Sequence, residues 1–126
     1  MTTETEKKRI LIVDDESGFT RLLKLTLEKT GRYLVREEND GTRARDTARE
    51  FQPDLILLDI VMPKIDGGEV AQKIRSDPKL ADVPIIFLTA IVSEKEGGKT
   101  IGGFPFIAKP VSLQAITQCI AEHLGA

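Results

Sequence analysis

The clearest pattern in the chain is a set of short segments that are apolar at every position. They are Ile10–Val13, Leu55–Leu58 and Ile85–Leu88. Uninterrupted apolar runs of this length are typical of strands whose two faces are both covered, as in parallel sheets. A further run, Phe104–Ala108, contains Pro105, which favours an edge strand or a strand end. The more mixed segment Tyr33–Asn39 predicts the other edge of the sheet.

Between these runs, apolar residues recur at intervals of three and four, which is the spacing of one helix face. Such stripes occur at Phe19–Leu27, Ala44–Phe51, Val70–Ile74 and Leu113–Leu124. Asp40 and Ser112 are suitable N-caps, and Gly31 suits the position just after a helix end. Strands that alternate with helices predict an α/β fold, with a single doubly wound parallel sheet of five strands and helices on both faces.

One segment fits this alternation poorly. Ser93–Gly103 reads SEKEGGKTIGG, with four glycines and one large aliphatic residue. Glycine is a weak helix former, so this segment predicts a short or frayed helix at most.

Length and charge narrow the classes of function. The chain has 126 residues, and we expect a flexible lead over residues 1–8 and one domain over residues 9–126. Its net charge is −2 with acids and bases interspersed, which argues against direct binding of nucleic acid. No apolar stretch is long enough for a membrane span, no apolar signal core is present, and the single Cys119 has no partner for an internal disulfide. These features predict a cytoplasmic location.

Charged and hydroxyl side chains stand at the ends of the predicted strands. Asp14 and Asp15 end the first run, Asp59 and Thr89 end two others, and Lys109 follows the last. The carboxyl ends of parallel strands share one edge of a sheet, so these side chains are expected to converge there. Three carboxylates and one ammonium group favour a hard cation such as Mg²⁺. Beside a lysine and a hydroxyl group, Asp59 is placed to accept a phosphoryl group.

Four segments together resemble the receiver domain of two-component response regulators, the fold of the chemotaxis response regulator. They are ILIVDDE at 10–16, DLILLDIVMPKIDGGEV at 54–70, PIIFLTA at 84–90 and FPFIAKP at 104–110. Their order and spacing are close to those of the family, and the resemblance covers the chain from about Arg9 to its end. It implies a flavodoxin-like strand order, 2-1-3-4-5.

The resemblance also implies a metal site. Asp15 and Asp59 would bind Mg²⁺ (or Mn²⁺) directly, Asp14 would help through a water molecule, and the backbone carbonyl of Val61 would supply a further ligand. Asp59 would be the phosphorylated residue, and it would receive the phosphoryl group from a sensor histidine kinase or a phosphotransfer protein in a two-component or phosphorelay pathway.

Other residues receive roles from the same resemblance. Thr89 and Lys109 would contact the phosphoryl group, and Lys109 would precede a cis peptide bond to Pro110. Thr89 and Phe106 would act as switch residues that move on activation. The domain would then act on an unidentified protein target or on a second copy of itself, and it would be a phosphoacceptor rather than an enzyme with an external product.

Other interpretations fit the same residues. Asp14 and Asp15 would also suit capping of a helix that begins near Ser17. A degenerate receiver would work as an interaction module without phosphorylation. An aspartyl-nucleophile phosphatase needs a second acid two residues after the nucleophile. That position holds Val61 if Asp59 is the nucleophile, and Glu16 if Asp14 is the nucleophile. A flavodoxin-like cofactor binder needs a phosphate loop after the first strand, where this chain has DDESG.

Overall fold

In a computed structural model of the protein, residues 7–89, 100–101, 103–109 and 112–124 are described. The strands are β1 (Lys8–Val13), β2 (Tyr33–Glu38), β3 (Leu55–Asp59), β4 (Ile85–Thr89), β5 (Thr100–Ile101) and β6 (Phe104–Ala108). The helices are α1 (Ser17–Lys29), α2 (Ala44–Phe51), α3 (Gly67–Arg75) and α4 (Leu113–Leu124), and a 3₁₀ turn, Gly41–Arg43, leads into α2. None of the helices in this part of the chain is both long and apolar enough to cross a membrane.

The order across the sheet is β2-β1-β3-β4-β6-β5, and each neighbouring pair is parallel except β6 and β5. The parallel strands, counted along the chain, therefore lie in the order 2-1-3-4-5. This confirms the predicted doubly wound parallel sheet and its strand order.

The core consists of two apolar layers, one on each face of the sheet. Side chains alternate between the faces, so Leu11 and Val13 lie in the layer under α2 and α3, whereas Ile10 and Ile12 lie in the layer under α1 and α4. The side chains of the inner strands β1, β3 and β4 are mostly buried on both faces. Double coverage explains why these strands show no alternation of polar and apolar residues.

The structure differs from the sequence prediction near the edge of the sheet. Thr100 and Ile101, inside the segment expected to form a frayed helix, form β5 and pair antiparallel with Pro105 and Phe104. Gly103 has φ +89, which suits the tight turn between the two strands. Most of the predicted helix, at residues 93–99, lies outside the described residues, as do Pro110 and residues 1–6 of the expected lead. At the other end, β1 begins at Lys8, which pairs with Tyr33.

The predicted helix boundaries follow local hydrogen bonds. Asp40 accepts a hydrogen bond from the Thr42 N–H at 3.0 Å and so caps the 3₁₀ turn, while Ser112 accepts one from the Ala115 N–H at 3.0 Å. After α1, Gly31 has φ +79, a conformation that favours glycine and ends the helix as predicted.

Candidate functional site

The carboxyl ends of β1 and β3 bring three carboxylates together. Asp14 directly follows β1, and Asp59 is the last residue of β3. Asp14 is fully buried and Asp59 is 6% exposed, whereas Asp15 points into solvent. Carboxylate oxygens of Asp14, Asp15 and Asp59 all lie within 4.8 Å of one another. Like charges at this separation repel, so the cluster requires a compensating positive charge.

Lys109 supplies one positive charge to this cluster. Its Nζ donates a hydrogen bond to Asp14 Oδ2 at 2.8 Å and lies 3.9 Å from Asp59 Oδ1. Its backbone N–H donates to the Thr89 carbonyl at 2.8 Å, which fixes Lys109 at the carboxyl end of the sheet. We call Asp14, Asp15, Asp59 and Lys109 the acidic rim. With all four ionised, it carries a net charge of −2, which suits a divalent cation.

The capping interpretation of the acid pair is wrong for α1. The N-cap residue of α1 is Glu16, and it makes no side-chain capping bond. Asp14 instead accepts a hydrogen bond from the Glu16 N–H at 3.0 Å, before the helix begins. The carboxylates of Asp14 and Asp15 instead lie within 4.8 Å of each other and of Asp59.

The carboxyl group of Asp59 holds its proton more tightly than usual. Burial and the negative charge of Asp14 raise its pKa from 3.8 to about 6, against the opposing effects of Lys109 and of a hydrogen bond from the Val61 backbone. Lys109 also has a raised pKa: burial would lower it, but the hydrogen bond to Asp14 and the nearby carboxylates outweigh that effect. At neutral pH, Asp59 is therefore mostly ionised but destabilised, and a cation would relieve that cost.

The raised pKa of Asp59 predicts how stability depends on pH. Because the pKa is about 6 in the folded protein and 3.8 ordinarily, the folded state binds this proton more tightly. The penalty is fully present above pH 6 and is lost as the pH falls toward 4. Between about pH 7.5 and about pH 5, we expect wild type to gain about 1 kcal/mol of unfolding free energy relative to Asp59→Asn, after allowance for solvent screening.

Urea unfolding of both proteins in metal-free buffer measures this difference. Asp59→Asn is the reference because it removes the titrating group and keeps nearly the same shape, so the other carboxyl groups cancel. An equal stability gap at both pH values would show that Asp59 titrates at its ordinary pKa.

A glycine closes the loop between Asp59 and α3. The Gly67 N–H donates to the Ile60 carbonyl at 2.7 Å, so the chain folds back directly against the end of β3. A Cβ at Gly67 would lie 2.6 Å from the Cα of Ile60 and closer still to the carbonyl oxygen of Asp59. Asp66 caps α3 by accepting a hydrogen bond from the Gly68 N–H. The position of Asp59 therefore depends on the absence of a side chain at residue 67.

Gly67→Ala is expected to lower the unfolding free energy by about 2–4 kcal/mol, because backbone atoms must move to admit the methyl group. Gly18→Ala is a matched control in the first turn of α1, where a Cβ would meet nothing within 4 Å. We expect the control to be neutral or slightly stabilising. Chemical denaturation measures both variants, and equal stabilities would contradict the tight closure at Gly67.

The other predicted site residues are Thr89, Val61 and Phe106. Thr89, at the end of β4, is 1% exposed and follows Leu88, which pairs with Asp59 across the sheet. Val61 is 57% exposed beside the rim. Phe106 is half-buried in β6 opposite Phe87 and packs on the α2–α3 face.

Further residues help to build the rim, although their sequence patterns did not single them out. Glu16 Oε1 lies 4.0 Å from Lys109 Nζ. The Asn39 side-chain amide donates to the Asp14 carbonyl at 2.7 Å, from the loop that follows β2. The strand order supplies the missing signal for Asn39, because β2 lies beside β1 and both strands end at the same edge.

Comparisons with known proteins agree with this geometry. The family model described as "Response regulator receiver domain" matches residues 10–121. The chain is 38% identical over 108 residues to the DNA-binding dual master transcriptional regulator RpaA of Synechocystis sp., which covers 84% of this chain and 44% of RpaA. It is 34% identical over 120 residues to the polar-differentiation response regulator DivK of Brucella anthropi, which covers 94% of this chain and 97% of DivK.

Solved structures show the same similarity. The chemotaxis protein CheY4 of Vibrio cholerae superposes with a TM-score of 0.81 and 26% identity, over 92% of this chain and 98% of CheY4. The chain spans less than half the length of RpaA and of the probable transcriptional regulators ycf27 of Guillardia theta and Galdieria sulphuraria, which it also matches. It spans nearly all of DivK.

Proposed function

Because this chain belongs to the response regulator receiver domain family, we propose that Asp59 is its phosphoacceptor, served by Mg²⁺ (or Mn²⁺) at the acidic rim. Family membership places the chain in two-component signalling, where a receiver interacts with a histidine kinase or another phosphodonor. The proposal adds the residue, the metal dependence and the roles of the neighbouring side chains.

One observation carries the proposal. A buried carboxylate, Asp59, lies within 4.8 Å of two further carboxylates and 3.9 Å from the ammonium group of Lys109, at the open edge of a parallel sheet. A buried acid that served only the fold would be expected to have enough donors to offset its burial. Instead the pKa of Asp59 is raised to about 6, which indicates a site whose charge is incompletely compensated by the protein itself.

The residues of the rim fit a magnesium ion. All three acids offer hard oxygen ligands, and Mg²⁺ favours sites with few carboxylates that leave positions for water and phosphate oxygens. Asp15 and Asp59 would hold the ion, while Asp14, already bonded to Lys109 and to the Glu16 N–H, is better suited to act through water. The Val61 backbone carbonyl is the proposed further ligand. When bound, the ion supplies positive charge that offsets the carboxylates and the phosphoryl oxygens.

Each side chain of the site has its own role in phosphoryl transfer. An ionised oxygen of Asp59 attacks phosphorus, the bond from phosphorus to the donor nitrogen breaks, and its electron pair stays on the donor imidazole. The ammonium group of Lys109 weakens its hydrogen bond to Asp14 and donates to the new phosphoryl oxygens. The Thr89 hydroxyl donates to the same group. Little covalent chemistry is required beyond positioning and charge neutralisation.

Phosphorylation would act as a switch rather than as one step in turnover of an external substrate. The phosphoryl group adds a charge of about −1.5 to −2 at the rim. Thr89 and Lys109 follow this charge, and Phe106 repacks on the α2–α3 face. The change is a population shift between two packings, and a partner that prefers one of them reads the signal.

The proposed partners are a sensor histidine kinase or phosphotransfer protein upstream, and a protein target or a second copy of the domain downstream. RpaA is a DNA-binding transcriptional regulator, but this chain matches only 44% of its length, so direct DNA binding is not part of the proposal. The interspersed charges of the chain also give no basic face for nucleic acid.

The site geometry disfavours two of the alternatives. With Asp59 as the nucleophile, a phosphatase would need an acid where the exposed aliphatic Val61 stands. With Asp14 as the nucleophile, Glu16 would be that acid, but Asp14 is fully buried and its oxygens are bonded to Lys109 and to the Glu16 N–H. A phosphate loop after β1 is replaced by Asp14, Asp15 and Glu16, which repel an anion in the absence of a cation. The degenerate receiver remains the competing function, and it predicts no phosphoryl uptake.

The test is intact-mass spectrometry after incubation with acetyl phosphate, in Mg²⁺ and in EDTA. The proposal predicts one added phosphoryl group in Mg²⁺ and none in EDTA, and the adduct is expected to be lost on treatment with hydroxylamine, which cleaves acyl phosphates. No adduct, together with no Mg²⁺ binding by titration, would favour the degenerate receiver.

A further inference from the structure

An aromatic ring lies against the lysine of the acidic rim. Phe19 belongs to the first turn of α1, where its N–H donates to the Glu16 carbonyl at 3.1 Å. Its half-buried ring packs on the apolar layer under α1 and α4 and lines a groove with Leu23 and Leu113. The ring is thus held from the side away from the rim, and its position is set by packing rather than by the charged residues.

The ring and the ammonium group are in cation–π contact. Lys109 Nζ lies 4.6 Å from the centroid of Phe19, inside the range of about 6 Å over which such contacts are attractive. The same Nζ is 2.8 Å from Asp14 Oδ2, 3.9 Å from Asp59 Oδ1 and 4.0 Å from Glu16 Oε1. Phe19 therefore forms the apolar part of an otherwise acidic surrounding.

This arrangement addresses a problem of the rim. Lysine carries its charge on a flexible stem of four carbons, and three carboxylates compete for it. Glu16 is largely exposed, so a bond to it would draw Nζ toward solvent and away from Asp59. The ring attracts the ammonium group without using any of its N–H donors. Those donors stay available for Asp14 and for oxygens that arrive at Asp59.

We propose that Phe19 is a positioning residue for phosphoryl transfer, whose ring holds the Lys109 ammonium group beside Asp59 as Lys109 exchanges Asp14 for phosphoryl oxygens. The inference rests on the proposed function, since it concerns the same site. Phe19, on α1, would thus be added to the groups that control the reaction, although its side chain has no oxygen or nitrogen atom.

Phosphorylation kinetics with acetyl phosphate test this role. Phe19→Leu keeps an apolar side chain but removes the ring, and we expect the maximal rate constant to fall about tenfold with little change in the half-saturating donor concentration. Phe19→Tyr keeps the ring face and is expected to restore the rate. Phenylalanine analogues with increasing numbers of ring fluorines, inserted at position 19, are expected to slow the reaction stepwise, because fluorine weakens the negative face of the ring.

Leu22→Ala is the matched control. Leu22 lines the same groove on α1 and is 67% exposed, so its truncation tests whether a change of the apolar surface of α1 alone alters the rate. Melting curves of all variants identify any that fail to fold. A wild-type rate in Phe19→Leu, or a flat response across the fluorinated series, would overturn the inference.

A second measurement does not depend on phosphorylation. Protons above an aromatic ring resonate upfield, so the ε-methylene signal of Lys109 is expected to be displaced upfield in wild type and to return to its ordinary position in Phe19→Leu. If this signal has its ordinary chemical shift in wild type, Lys109 does not contact the ring of Phe19 and the inference is overturned. If wild type shows the displaced signal but accepts no phosphoryl group, the proposed function is wrong, and the role of Phe19 in phosphoryl transfer is wrong with it. The NMR signal therefore distinguishes a missing contact between Phe19 and Lys109 from a failure of the proposed function.

Discussion

Asp59→Asn is expected to accept no phosphoryl group from acetyl phosphate under conditions that modify wild type stoichiometrically. The substitution keeps the shape of the side chain but replaces the nucleophilic oxygen anion with an amide, which does not attack phosphorus at a comparable rate. It also removes one of the three carboxylates of the rim, which is expected to weaken the proposed binding of Mg²⁺. The effect is all or none, and intact-mass spectrometry measures it.

The matched control for Asp59→Asn is Asp82→Asn, which makes the same chemical change at an exposed position before β4. We expect this variant to be modified like wild type. The metal-free Asp59→Asn protein is expected to be at least as stable as wild type at neutral pH, because an unfavourable buried charge is gone. An adduct on Asp59→Asn at the wild-type level would move the phosphoacceptor to another residue.

Lys109→Met is expected to lower the unfolding free energy of the metal-free protein by about 2–3 kcal/mol and to slow phosphorylation by about 100-fold. Methionine keeps an unbranched side chain, one atom shorter than that of lysine, but removes the charge, so the fully buried Asp14 loses its 2.8 Å partner. The developing charge on the phosphoryl group loses its nearest ammonium group as well. Urea unfolding and the time course of the mass adduct measure the two effects.

Lys73→Met provides the comparison, because Lys73 is exposed in the last turn of α3, away from the rim. That variant is expected to change stability by less than about 0.5 kcal/mol and to leave the phosphorylation rate unchanged. Equal effects of the two substitutions would show that the bond between Lys109 and Asp14 does not hold in solution.

The sheet was predictable because its inner strands are buried on both faces. Such strands need apolar residues at every position, and the runs Ile10–Val13, Leu55–Leu58 and Ile85–Leu88 have them. β5 was not predictable, since two residues carry no periodicity and Thr100–Ile101 depends on its partner β6. The glycine-rich composition predicted a short or frayed helix at most, and it did not indicate a strand at Thr100–Ile101.

The convergence of Asp14, Asp59 and Lys109 was also predictable, because parallel strands end at one edge. The shorter distance from Lys109 to Asp14 than to Asp59 was not predictable, since it depends on side-chain rotamers. The contact of Lys109 with the ring of Phe19, which comes from another element, was not predictable either. The need for glycine at residue 67 arises only when the loop closes against the end of β3. These features belong to the packing of distant segments, which a local sequence pattern does not contain.

The most direct test of the account identifies the modified residue itself. Wild type is incubated with acetyl phosphate and Mg²⁺, reduced with borohydride, which converts an aspartyl phosphate to homoserine, and then mapped by peptide mass spectrometry. We expect homoserine at position 59, and unmodified aspartate there when EDTA replaces Mg²⁺. Homoserine at Asp14 or Asp15 instead, or modification at Asp59 that is independent of the metal, would contradict it.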